Sequence, residues 1–256
     1  YELRDCYSNV EQANVRLRTK AQMTGEAARS SMTALEWDTI WVTAEGKTPR
    51  LLPVAAEHQV NGNNGTPGAV WSGQVATDYA GGTGTENDPY QIATGEQLAK
   101  LVSGLVNATQ EDPKGVYYEL THDIVLNDTT AADWKDNAHA WFYSTWQQYE
   151  VHHGFRGHLN GNGHTVSGIY LDVVREGQVL AGLIPVIGES GVVENIGVIH
   201  SYIRGSDTKH GMGCVGALVG YCYDWTIPED NDATGLLATI RGCFSDQTVM
   251  VIGNFV

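Results

Sequence analysis

The chain has 256 residues and carries 15 Lys and Arg against 30 Asp and Glu, a formal net charge of −15. That balance argues against a nucleic-acid partner, which needs clustered basic side chains to displace phosphate counterions. Thirty glycines against seven prolines describe a chain that turns often, a β composition more than a helical one.

In chain order, residues 1–10 read as a strand and a turn. The phrase LRDCYS at 3–8 returns near the far end as IRGCFS at 240–245, with a constant offset of 240 − 3 = 237. Thr19 then stands as an N-cap, and Met23, Ala27, Ala28 and Met32 recur at helical spacing, so a helix is expected near 20–31. A short strand at 39–43 and a turn at Glu45–Gly46–Lys47 follow. Residues 54–80 are dense in Gly and Asn and read as a linker holding short strands at 69–71 and 74–77.

A new unit starts at Gly81. A strand is expected at 90–92, followed by Thr94 and Gln97 in a capping box. Leu98, Leu101, Val102 and Leu105 then form the apolar face of a helix over 94–106. VYYELTHDIVLND supplies one or two alternating strands. Residues 129–150 are irregular and aromatic. From Phe155 on, short β-branched strands are broken by Gly and Asn. Val192, Ile196, Val198, Ile199 and Ile203 take strand positions, and Gly191, Asn195, Gly197 and Gly205 take bends. Short strands with near-periodic bends and no intervening helices suit a solenoid better than a doubly wound sheet.

GGTGTENDPYQIATGEQLAKL, FRGHLNGNGHTVSGIYL, GLIPVIG at 182–188 and GALVG at 216–220 resemble the GLUG-motif repeats of bacterial cell-surface proteins. The same run is similar to the non-catalytic β-helical region of immunoglobulin A peptidases. The resemblance covers about 81–256 and implies an all-β, right-handed parallel β-helix without a cofactor. Residues 1–53 look like the segment that closes such a domain, so the order is inverted. Three segments are therefore expected: a closing cap (1–53), a linker (54–80) and a β-helix with a cap helix (81–256). A linker of about 27 residues at ~3.3 Å each reaches about 90 Å, so 1–53 can cap its own chain or a neighbouring copy. A first residue of Tyr rather than Met is what a fragment or a processed product would show.

The candidate sites follow from residue types. The aromatic stretch offers Trp134, Trp141, Tyr143, Trp146 and Tyr149 as a contact face for a glycan or protein, with packing against the helix as the alternative. PEDNDATG places Glu229, Asp230 and Asp232 in one loop, a weak calcium candidate without the alternation of an EF-hand. No HExxH string exists for zinc peptidase chemistry, and His152, His153, His158 and His164 alternate with Gly and Arg rather than at ligand spacing. A glycan hydrolase needs two carboxylates about 5–9.5 Å apart, for which Asp172, Glu176, Asp207 and Asp224 qualify by position only. Cys6, Cys214, Cys222 and Cys243 show no CxxC spacing and read as small buried hydrophobes, with a Cys214–Cys222 or Cys6–Cys243 disulfide as the alternative.

The expected function is a non-catalytic adhesin or stalk, extracellular and on the cell surface, that presents a surface to a host glycan or protein. A carbohydrate-active enzyme and a self-assembling subunit are the rivals. No cofactor and no membrane insertion are expected, since no run of about 18 apolar residues exists.

Overall fold

The computed structural model describes residues 65–107, 113–145, 154–209, 211–222 and 238–254. It also describes the short elements Tyr7–Ser8, Arg16–Leu17, Gly25–Ser31, Trp41–Val42 and Arg50–Leu51. The protein is mostly β with few helices.

Three parallel sheets carry the architecture. The first runs Thr239–Arg241, Val192–Glu194, His158–Asn160, Tyr117–Leu120 and Tyr90–Ile92. The second runs Phe244–Ser245, Gly197–Ile199, Thr165–Ser167 and Ile124–Val125. The third is Tyr170–Arg175, Tyr202–Asp207 and Met250–Ile252. Two smaller parallel pairs join Val179–Ala181 to Gly213–Val215 and Ile184–Ile187 to Val219–Cys222.

The register repeats. Leu159 pairs with Val193 (193 − 159 = 34), Val166 with Val198 (32) and Leu171 with Ile203 (32). The next step is longer: Val193 pairs with Ile240 (47), Val198 with Ser245 (47) and Ile203 with Val251 (48). Parallel pairing requires a long crossover, most often a helix. Here the crossover from His158–Asn160 to Val192–Glu194 is made of the strands of the other sheets.

The repeated positions form the core. Leu159, Val193, Ile240, Val166, Val198, Leu171 and Ile203 are buried in one continuous cluster. Strand Tyr202–Asp207 alternates half-buried and buried, so one face packs inward and the other meets solvent.

The cap helix forms over Gly95–Asn107, one residue later than expected. Thr94 Oγ1 accepts from the Gln97 backbone N–H (3.3 Å), and Gln97 Oε1 accepts from the Ala93 N–H (2.8 Å). Leu98, Leu101 and Val102 are fully buried, each worth about 1.5–3 kcal/mol of apolar transfer. Residues 65–80 attach to the same end: Val70 bridges Val125, Trp71 is in the core, and the Ala76 N–H donates to the Glu96 carbonyl. The strand expected at 74–77 does not form.

Two bends expected from glycine are strand positions instead. Gly197 lies in Gly197–Ile199 because any Cβ there would collide with the Phe244 ring. Gly205 lies in Tyr202–Asp207, where a Cβ would stand 2.8 Å from Val179 and Val215. Close approach rather than turning selects glycine at both. True bends fall at Asn195 and Gly242, register neighbours with φ of 55° and 61°.

Near the start of the chain, Tyr7–Ser8 pairs parallel with Arg16–Leu17. Trp41–Val42 and Arg50–Leu51 pair antiparallel. The helix spans Gly25–Ser31, the later part of the stretch expected at 20–31; Thr19 and Met23 lie outside the described residues. Cys214 and Cys222 are free thiols, so no Cys214–Cys222 disulfide forms; Cys6 lies outside the described residues. Cys243 is buried as expected, whereas Cys214 and Cys222 are only half-buried, with burial pushing both thiols up in pKa. Among the described residues, no helix is long and apolar enough to cross a membrane.

Candidate functional site

The aromatic excursion after Ile124–Val125 is held at both ends by one side chain. Asn127 is buried, donates through Nδ2 to the carbonyls of His139 (3.0 Å) and Gly168 (2.7 Å), and accepts through Oδ1 from the His139 N–H (2.7 Å). Between these anchors Asp128 Oδ1 accepts from the Thr130 N–H and a 3₁₀ turn forms at Trp134–Asn137.

The five aromatic candidates do not share one surface. Trp141 is 3% exposed; its indole N–H donates to the Leu183 carbonyl (3.0 Å) and its ring meets Trp71 edge-on at 5.2 Å. It is therefore a core residue rather than a contact residue. Tyr143 lies in Tyr143–Ser144, the antiparallel edge of Val179–Ala181, with its hydroxyl 3.5 Å from Arg175. Trp134 is half-buried and sets its edge on Tyr170 at 5.8 Å. Trp146 and Tyr149 lie outside the described residues, as do His152, His153, Asp224 and the calcium candidates Glu229, Asp230 and Asp232.

Around Trp134 the third sheet adds side chains that the sequence reading missed. Tyr170 and Tyr202 are register partners and stack at 6.1 Å with planes 25° apart. Lys135 Nζ stands 4.5 Å from the Tyr202 centroid, a cation–π contact. Two residues on, Arg204 Nε donates to its register partner Asp172 Oδ1 at 2.6 Å. Burial and the Asp172 carboxylate push the Tyr170 phenol above its usual pKa. Val174 and Met250 extend the same sheet and are exposed. The signal was present in the parallel phrases IYLD and SYIR, which align only once the 32-residue register is known.

The carboxylates nominated for hydrolysis are engaged elsewhere. Asp172 is paired with Arg204, and Asp207 is 1% exposed and accepts from the N–H groups of Gly177 and Lys209. Glu176 is exposed. His158 and His164 also have carboxylate partners: His158 Nε2 is 2.6 Å from Glu194 and His164 Nδ1 is 3.3 Å from Asp123. Glu194 is further paired with Arg241. Burial would raise Glu194, but the His158 and Arg241 contacts outweigh it and hold the carboxyl below its usual value. Among the described residues, no group of three or more His, Cys, Asp or Glu is arranged to hold a metal ion.

Comparison with known proteins finds two kinds of relative. The chain is 31% identical over 151 residues to a putative Gly-rich membrane protein of Evansella cellulosilytica, covering 57% of this chain and 14% of that protein. It is 28% identical over 172 residues to halomucin of Haloquadratum walsbyi, covering 65% of this chain and 2% of that protein. The chain thus spans a small part of the curated relatives it matches, which are membrane and surface-type proteins by name. No family model matches, and no solved structure matches.

Proposed function

We propose that this chain is a non-catalytic, right-handed parallel β-helical module of an extracellular cell-surface protein, an adhesin or stalk segment of the GLUG-repeat type. The observation that carries the architecture is the recurrence of equivalent inward positions, Leu159 on Val193 on Ile240 and Leu171 on Ile203, in parallel register. Successive turns of one coil would produce that stacking, and each turn would bury its inner face only against its neighbours. The names of the relatives and the small share of each that is matched support a module within a long surface protein.

The surface offered to a host glycan or protein is the Trp134, Lys135, Tyr170, Tyr202 and Arg204 face. Half-exposed aromatic rings beside a cation and a carboxylate are what recognition surfaces favour. The proposed module uses no cofactor. The test is binding of the full chain to glycan and host-protein arrays, set beside reducing-sugar release from a polysaccharide panel. Expected are array binding that weakens in Tyr202→Ala and no sugar release. Sugar release above the blank overturns the non-catalytic reading, and a blank array overturns the adhesin.

A further inference from the structure

Two rows of side chains run across the outer face of the third sheet. Tyr170, Tyr202 and Met250 are register partners in the first row, and Asp172, Arg204 and Ile252 in the second. Leu171 and Ile203 lie between the rows and are buried, so the rows point outward. The rows stand two residues apart along each strand, ~6.6 Å. One row is aromatic and apolar, the other holds an ion pair, and a ligand resting on the first reaches the second.

The ion pair keeps bonding capacity in reserve. Arg204 reaches Asp172 Oδ1 through Nε at 2.6 Å and through Nη2. Asp172 Oδ2 and Arg204 Nη1 are left as an acceptor and a donor side by side, on side chains 28% and 39% exposed. A hydroxyl both donates and accepts, so two neighbouring hydroxyls satisfy that pair together. The charges of the face also cancel. Lys135 and Arg204 are offset by Asp172 and by Asp136, which follows Lys135 in the Trp134–Asn137 turn. With no local surplus and a chain charge of −15, nothing draws an anionic ligand to this face. A cationic ligand is opposed from the other side, because Lys135 Nζ already stands 4.5 Å from the Tyr202 centroid.

We propose that this face binds an uncharged glycan, with a sugar ring against Tyr202 and Met250 and two adjacent hydroxyls on Asp172 Oδ2 and Arg204 Nη1. The inference rests on the reading of this face as the recognition surface and narrows its ligand to one class. The C–H groups of the sugar are buried against the ring and the thioether, while its hydroxyls replace water on the ion pair. Trp134 closes the row beyond Tyr170, edge-on at 5.8 Å. An uncharged ligand leaves nothing for salt to screen, so its affinity is nearly independent of ionic strength.

Biolayer interferometry of the full chain reads the outcome. The neutral probes are immobilised mannan, dextran, galactan and β-glucan; the anionic ones are hyaluronan, heparin and polysialic acid. The expected result is binding to at least one neutral polymer, changed less than about twofold between about 20 and about 500 mM NaCl. Tyr202→Ala and Asp172→Ala should each weaken it at least about tenfold with the β circular dichroism unchanged. Tyr202→Phe, which keeps the ring, should stay within about threefold of the wild type. Binding confined to the anionic polymers and lost at high salt overturns the inference, as does neutral-polymer binding that both alanine variants retain. Binding to a host-protein array alone, weakened in Tyr202→Ala, overturns the inference and leaves the surface-module reading in place. Silence on every polymer and every array overturns both.

Discussion

The first sheet's starting end and the Met250–Ile252 strand differ in how well they are sealed. Where the first sheet ends at Tyr90–Ile92, the chain spends the helix Gly95–Asn107 and the Trp71 segment on that region, and Leu98, Leu101, Val102 and Ile92 are sealed from solvent. Where it ends at Thr239–Arg241, nothing among the described residues lies beyond, and the register partner of a fully buried isoleucine is exposed. At that end Ile240 and Cys243 are buried while Met250, Val251 and Ile252 are exposed, so the same strand chemistry is sealed unevenly across the sheets.

The contrast is broken most strongly at the sealed end. Leu101→Ala leaves a cavity beneath the helix and should cost about 2–5 kcal/mol, read from the urea midpoint of the full chain. Asn127→Ala comes next. It strands the buried Gly168 carbonyl and releases the His139 backbone groups that Asn127 now satisfies, for a loss of about 1–3 kcal/mol. Its second readout is tryptophan fluorescence, because freeing the excursion exposes the Trp141 indole.

Much of the sealed end was legible in the sequence, and much of the site was not. Thr94, Gln97 and the spacing of Leu98, Leu101 and Val102 are local signals, and the helix follows them to within a residue. Strand Tyr90–Ile92 was equally local. Glycine misled at Gly197 and Gly205, because what selects glycine there is a side chain dozens of residues away. Trp141 misled for the same reason: its burial depends on Trp71 and Leu183, neither of which is a sequence neighbour. Tyr170 and Tyr202 were passed over because their adjacency exists only through a register that no short window displays.

The first sheet also predicts a pH dependence that sharpens the comparison along its length. The Glu194 carboxyl is held below its usual 4.5 in the folded chain by His158 and Arg241, against the opposing effect of burial. Its contribution is therefore present above that value and is lost as pH falls through the lower folded pKa. Urea midpoints taken from pH 7 down to pH 3 should fall more steeply for the wild type than for Glu194→Gln. Equal slopes would show that the pairing contributes nothing net.

At the exposed strand Met250–Ile252 the same kind of truncation should be nearly silent. Val251→Ala removes two methyl groups from a position that is inward by register but 40% exposed. The exposed side chain has little burial to lose, so the expected change is about 0.5 kcal/mol or less. Ile203→Ala, at the fully buried register partner, should cost about 2–5 kcal/mol. The ratio between these two variants measures how much of a core position depends on having a neighbour. A Val251→Ala cost equal to the Ile203→Ala cost would mean that the Val251 side chain is as buried in solution as its register partner.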